Sequence, residues 1–96
     1  MSNSALSKRL YLEKEKISRL PNEAGVYFLF QSNNMLVYIG KALYIRKRVT
    51  QHDKDKQFSL IGYEIVHYSR ARLLEKNLLE LYLKEHGQLP YYNKHC

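Results

Sequence analysis

The stretch Val37-Tyr38-Ile39-Gly40-Lys41-Ala42-Leu43-Tyr44-Ile45-Arg46-Lys47-Arg48 changes its period halfway along. Val37, Tyr38 and Ile39 are β-branched or aromatic and follow the polar run Gln31 to Asn34, so they read as a strand leaving a turn. Gly40 marks a point where a backbone bends or another group comes close. Beyond it, Ile45 and Val49 are apolar and four apart, while Tyr44, Arg48 and His52 give a second, polar stripe at the same helical spacing. The segment predicts a strand running through a glycine into a helix, with Lys41, Arg46, Lys47 and Arg48 on the junction. Such a junction gathers backbone donors and cations around one phosphate.

The neighbouring segments complete a small sheet. Leu20 to Gly25 contain Pro and Asn and read as a turn. Val26 to Phe30 follow as a strand, with Val26, Phe28 and Phe30 on one face and Tyr27 and Leu29 on the other. Met35 to Ile39 return antiparallel to it as a hairpin. A helix is expected from about Leu43 to His52, then a charged loop at Asp53 to Gln57 and a third strand from Tyr63 to Tyr68. The last helix runs from about Ser69 to His86. Leu73, Leu74, Leu78, Leu79, Leu81 and Leu83 surround most of its circumference, a pattern that usually means burial between layers. Gly87 ends it, and Pro90 to Asn93 form a tail. At the other end, Ser4 is placed to cap a helix from Ala5 to about Arg19. The expected architecture is α/β (α+β): a three-stranded antiparallel sheet flanked by helices in one domain, 1–96, with 1–20 as a helical extension.

Composition narrows the function. Ninety-six residues make one domain, and 45% apolar content supports a core. Sixteen lysines and arginines oppose nine acids, for a net charge of +7, which suggests a polyanionic partner, although a solvated basic surface would look the same. Nine tyrosines and no tryptophan suit a chain that stacks on bases or bonds phosphates, and equally one that packs tyrosine in its core. A lone cysteine, Cys96, cannot build a disulfide framework or a thiolate zinc site within one chain. No bilayer-spanning run and no secretory pattern are present, so no membrane partner is expected and the expected compartment is cytoplasmic.

Gly25-Val26-Tyr27, Val37-Tyr38-Ile39-Gly40-Lys41-Ala42, then Arg48, His52, an acid in the last helix and Asn93 together resemble the GIY-YIG nuclease superfamily. LPNEAGVYFLF, VYIGKALYIRKRV and LLELYLKEHGQLPYYN look most like the N-terminal nuclease domain of the bacterial excision-repair excinuclease C subunit. The resemblance implies phosphodiester hydrolysis with one divalent metal, Mg²⁺ or Mn²⁺. By that resemblance Tyr27 is a general base or water positioner, Tyr38 contacts the scissile phosphate, and Arg48 stabilises it. Lys41 lies near the site, His52 falls at a position held by histidine or tyrosine, and Asn93 is structural. Arg46, Lys47, Lys41 and His52 make up the expected phosphate-binding set, and Gly25, Gly40 and Asn93 support the site.

Two acids compete for the metal. Glu80 is selected by its spacing to Asn93, which leaves Glu75 as a solvent-facing or salt-bridging acid; the asparagine that usually follows the family glutamate is absent, since Lys76 follows Glu75 and Leu81 follows Glu80. His67, His86 and His95 are read as non-catalytic. A free phenol titrates near ~10, and Lys41, Arg48 and a metal would all favour phenolate at Tyr27. The resulting expectation is a standalone metal-dependent endonuclease on nucleic acid, DNA first, in repair or restriction, with targeting left to a protein partner or to nucleic-acid shape. A non-cleaving binding module and an interaction subunit are the alternatives.

Overall fold

A computed structural model describes residues 9–94. Its elements are strand β1 (Leu10–Glu13), a 3-10 helical segment (Lys14–Arg19), β2 (Gly25–Phe30), β3 (Leu36–Ala42), α1 (Ile45–His52), β4 (Leu60–Ile65), α2 (Tyr68–His86) and α3 (Tyr91–Lys94). The sheet is antiparallel throughout, in the order β1-β4-β2-β3. Among the described residues no helix is long and apolar enough to cross a membrane.

The α+β class and the β2–β3 hairpin agree with the sequence reading, but the sheet has four strands instead of three. The extra one is Leu10-Tyr11-Leu12-Glu13, where a helix was expected; the first part of that expected helix, Ala5 to Lys8, lies outside the described residues. Leu10 faces Tyr63 and Leu12 faces Ile61 across the β1–β4 ladder. Pairing there satisfies the backbone of β4 along an edge that would otherwise stay open. From Lys14 to Arg19 the chain coils in 3-10 turns broken at Lys16.

Register divides the sheet into two faces. Tyr27 lies opposite Gly40 and Tyr63, and Leu29 opposite Tyr38 and Ile61. This face packs with Leu20, Val37, Ile45, Val49 and Phe58 into one core. Val26, Phe28 and Ile39 on the other face pack against Ala71, Leu74, Leu78 and Leu79 of α2. Each fully buried side chain of this size contributes roughly 1.5–3 kcal/mol. α2 therefore covers one side only: Leu73 is 59% exposed, and Leu81 and Leu83 also face outward, so this helix is not sandwiched between layers. Third-strand pairing begins at Leu60, three residues before the expected start, because Leu60 and Ile61 reach Phe30 and Leu29 of β2. It stops at Ile65, and His67 then caps α2 by accepting the Ser69 amide on Nδ1.

Two glycines are fixed by contact. A Cβ on Gly25 would run into the Glu64 carbonyl on the paired strand. A Cβ on Gly40 would stand 2.6 Å from Tyr27 Cζ and Oη and 2.7 Å from Tyr38 Cε2. At the outer edge of β3, the Ile39 amide donates to Asn93 Oδ1 at 2.9 Å and the Ile39 carbonyl accepts from Asn93 Nδ2 at 3.0 Å. Asn93 thus stands in for a neighbouring strand, held by the turn of α3 behind buried Pro90.

Gly40→Ala must displace both tyrosine rings from a close-packed core. It should lower unfolding stability by about 1–3 kcal/mol or more, read from the urea midpoint. An unchanged midpoint would mean that the rings are not held against the glycine.

Candidate active site

Tyr27, Tyr38 and His52 meet beneath the junction that the opening stretch forms. Ring centroids are 6.0 Å apart for Tyr27–Tyr38, 5.7 Å for Tyr27–His52 and 5.0 Å for Tyr38–His52. β2 supplies Tyr27, β3 supplies Tyr38 and the last turn of α1 supplies His52. The helix is pinned by buried Ile45 and Val49 and begins at Ile45, two residues after the expected start, behind Tyr44, an N-cap in extended conformation. The expected stripe of Tyr44, Arg48 and His52 therefore splits: the Tyr44 ring projects outward, Arg48 lies at the surface, and His52 is only 5% exposed. His52 is not one of the surface cations that sequence grouped it with; it belongs to the buried cluster.

The hydroxyl of Tyr27 lies 2.7 Å from His52 Nε2, and His52 Nδ1 lies 3.8 Å from Asp55 Oδ1. A carboxylate on that side favours the proton on Nδ1, so Nε2 accepts and the Tyr27 hydroxyl donates. Burial is the main influence on both groups. It pushes the Tyr27 phenol well above its ordinary range, an effect reinforced by Tyr38 and only partly opposed by Arg48. Burial thus works against the expected drift toward phenolate: Tyr27 has no exposed surface, and desolvating a phenolate outweighs the attraction of one guanidinium. Burial, followed by the positive charges of Lys56 and Arg48, pulls His52 down to about 4, against a smaller opposing pull from Asp55. The pair is neutral at pH 7.

Lys56 is the residue sequence reasoning missed. It sits in the loop read only as charged, yet its side chain is 12% exposed. Its ammonium lies 5.0 Å from the Tyr38 ring centroid, 5.6 Å from that of Tyr92 and 3.6 Å from Asp55. No spacing rule brings a loop lysine onto a strand tyrosine; the signal is the fold itself.

At the junction itself lies an open cleft of about 360 Å³, lined among others by Lys41, Lys47 and Arg48; none of the three buried rings lines it. Arg48 Nη1 also donates to Gln51 at 3.3 Å. Arg46, expected in this set, points away toward the 3-10 segment, where it donates to the Ser18 carbonyl at 3.5 Å. Lys41 borders a second hollow with Ser69, Arg72 and Glu75, and its ammonium lies 3.5 Å from Glu75 Oε1.

Of the two competing acids, the structure brings Glu75 beside a site residue, as the salt-bridging acid that sequence allowed for. Glu80 is exposed on α2, and the expected approach of Glu80 to the cleft is not seen. The reason is helical phase. Ala71, Leu74, Leu78 and Leu79 seat α2 on the sheet, and Glu75 falls inside that stripe, one turn after Ala71. Glu80 is rotated by roughly 140° from Glu75. The readable signal was an acid interrupting an apolar stripe. Among the described residues no three His, Cys, Asp or Glu side chains cluster as metal ligands, so any cation site here would rest on one or two carboxylates. That suits a hard ion such as Mg²⁺, which keeps several waters and completes its shell with phosphate oxygens.

An antiparallel sheet carrying paired tyrosines, with a glycine under one of them and an arginine one turn before a buried histidine, defines the GIY-YIG class of domain. The profile of the UvrC-like GIY-YIG domain matches residues 23–93, and the chain belongs to that family. It is similar to the UvrABC system protein C of Finegoldia magna, with 27% identity over 81% of this chain and 16% of the relative. The protein of the same name from Mycoplasma mycoides is 30% identical over 79% of this chain and 15% of the relative. A shorter match to that of Helicobacter pylori is 40% identical over 59% of this chain and 9% of the relative. The chain thus matches about a sixth of the length of the first two relatives.

His52 makes stability pH-dependent. The folded state refuses a proton that the unfolded chain accepts near the ordinary histidine value of 6.5, down to about 4. Stability is therefore full above 6.5, falls as pH drops through this window, and levels off below about 4, a loss of roughly 3 kcal/mol. Urea unfolding at pH 7, 5.5 and 4 should show a flatter profile for His52→Gln than for the parent. Parallel profiles would show that His52 titrates normally.

Proposed function

We propose that this domain is a divalent-metal-dependent endonuclease that hydrolyses phosphodiester bonds in nucleic acid, DNA above all, within the repair process that the resemblance to the excinuclease C subunit implies. The observation that carries the reading is the Lys41–Glu75 pair, which stands between the cationic cleft and the hollow on α2. Glu75 takes the metal role assigned to Glu80 from sequence spacing. A bound Mg²⁺ or Mn²⁺ would supply electrostatic relief to a phosphoryl oxygen and an acidified water.

The chain's own groups do the remainder. A phosphodiester enters the cleft, where Arg48 and Lys41 oppose the charge that accumulates on oxygen as water attacks. Lys47 lies along the same cleft as a backbone contact. Behind Arg48, the buried Tyr27 hydroxyl is bonded to His52 Nε2 and orients the guanidinium that faces the phosphate. Tyr38 and Lys56 hold the ring cluster closed around it.

Single-turnover cleavage of plasmid DNA with Mg²⁺ or Mn²⁺ tests the proposal. Arg48→Ala and Tyr27→Phe should each slow incision by about 10² or more, with melting temperature little changed for the arginine. Glu75→Gln should abolish cutting but not binding, whereas Glu80→Gln should cut normally; the reverse result would return the metal to Glu80. Affinity for unrelated duplexes should be similar and fall steeply with salt through counterion release. Salt-sensitive binding with no incision in either metal would make the domain a binding module.

A further inference from the structure

The cationic cleft has a second kind of wall that phosphate chemistry does not require. Tyr44 and Tyr68 line it together with Lys41, Lys47 and Arg48, and so does Leu43. All three apolar or aromatic side chains are open to solvent: Leu43 and Tyr44 are each 54% exposed and Tyr68 38%. Neither tyrosine ring takes part in the aromatic contacts that engage Tyr27, Tyr38, Tyr91 and Tyr92.

Their backbones, in contrast, are held. Tyr44 caps α1, its carbonyl accepts the Arg48 amide at 3.1 Å, and the next amide, that of Ile45, donates to the Glu23 carbonyl at 3.0 Å. Tyr68 opens α2 directly behind the His67 cap, which is fixed by its bonds to Ser69. Aromatic rings on rigid supports, exposed beside cations and with no acid lining the cleft, make a stacking platform for a base whose phosphate lies on the lysines and arginine. A protein partner would gain little from Lys47 and Arg48, which unlike Lys41 form no ion pair among the described residues; a nucleotide supplies the opposite charge and a π-face together. In intact duplex, base faces are covered by their neighbours and cannot reach a ring.

We infer that Tyr44 and Tyr68 seat an unpaired base beside the phosphate, so that the substrate class is nucleic acid carrying unstacked nucleotides, such as a bulge or a single-stranded junction. The inference rests on the nuclease reading of the same cleft.

The test is equilibrium binding in EDTA to two DNAs of equal length, a perfect duplex and a duplex with one bulged 2-aminopurine, followed by anisotropy and by 2-aminopurine fluorescence. Stacking on a ring is worth about five- to a hundredfold in affinity per base, so the bulged DNA should bind about tenfold tighter, with its fluorescence quenched. Tyr44→Ala/Tyr68→Ala should remove the preference and the quenching while leaving duplex affinity and melting temperature unchanged. Tyr44→Phe/Tyr68→Phe should retain both. Equal binding of the two DNAs, or a preference that survives the double alanine change, overturns the seat. If the parent still incises plasmid DNA in that case, the nuclease reading stands without it. Failure to bind any nucleic acid removes both.

Discussion

The ring of Tyr27 rests on Gly40, and much of the molecule is arranged to permit that contact. The two residues face each other across the β2–β3 ladder, so any side chain at Gly40 would claim the space of the phenol. Once the ring is seated, its hydroxyl reaches His52, which fixes the end of α1. Ile45 and Val49 then bury the same helix against the same face of the sheet. Arg48, one turn before His52, is consequently delivered to the lip of the cleft, where it also donates to Gln51. Packing thus positions the charged group, and a glycine with no side chain makes the packing possible.

The same seating sets the electrostatics. A phenol and an imidazole with almost no exposed surface both favour their neutral forms, and a single hydrogen bond joins them. Cationic neighbours act in opposite directions on the two groups: Arg48 favours ionising the phenol and disfavours protonating the imidazole. Residue types in a motif show which charges are near. Only the depth of burial shows which effect dominates, and depth is a property of the folded chain.

That distinction separates what could be read from sequence and what could not. Alternation placed Val26 and Phe28 on one face of β2 and Tyr27 and Leu29 on the other, and the two cores follow this division. The strand–glycine–helix junction was legible for the same reason, since its period changes at Gly40. The fourth strand was hidden because Leu10, Tyr11 and Leu12 sit among charges compatible with a helix; the edge of β4 that needs a partner lies some fifty residues away in sequence. Leucines around α2 could not reveal that one side stays bare, because apolar count does not specify how many layers will cover a helix. Distance to Asn93 pointed to Glu80, whereas the rotation imposed by Ala71, Leu74, Leu78 and Leu79 turned Glu75 toward Lys41.

Asn93 closes the edge of β3 from 54 residues away in sequence. During synthesis the hairpin and α1 leave the ribosome well before that amide does. For this interval the backbone of Ile39 presents a free donor and acceptor, an open template for another strand. The nascent chain is therefore most prone to association in the time between the emergence of β3 and that of α3. Docking of the late segment both completes the candidate site and withdraws the sticky edge, which couples maturation of the site to escape from aggregation.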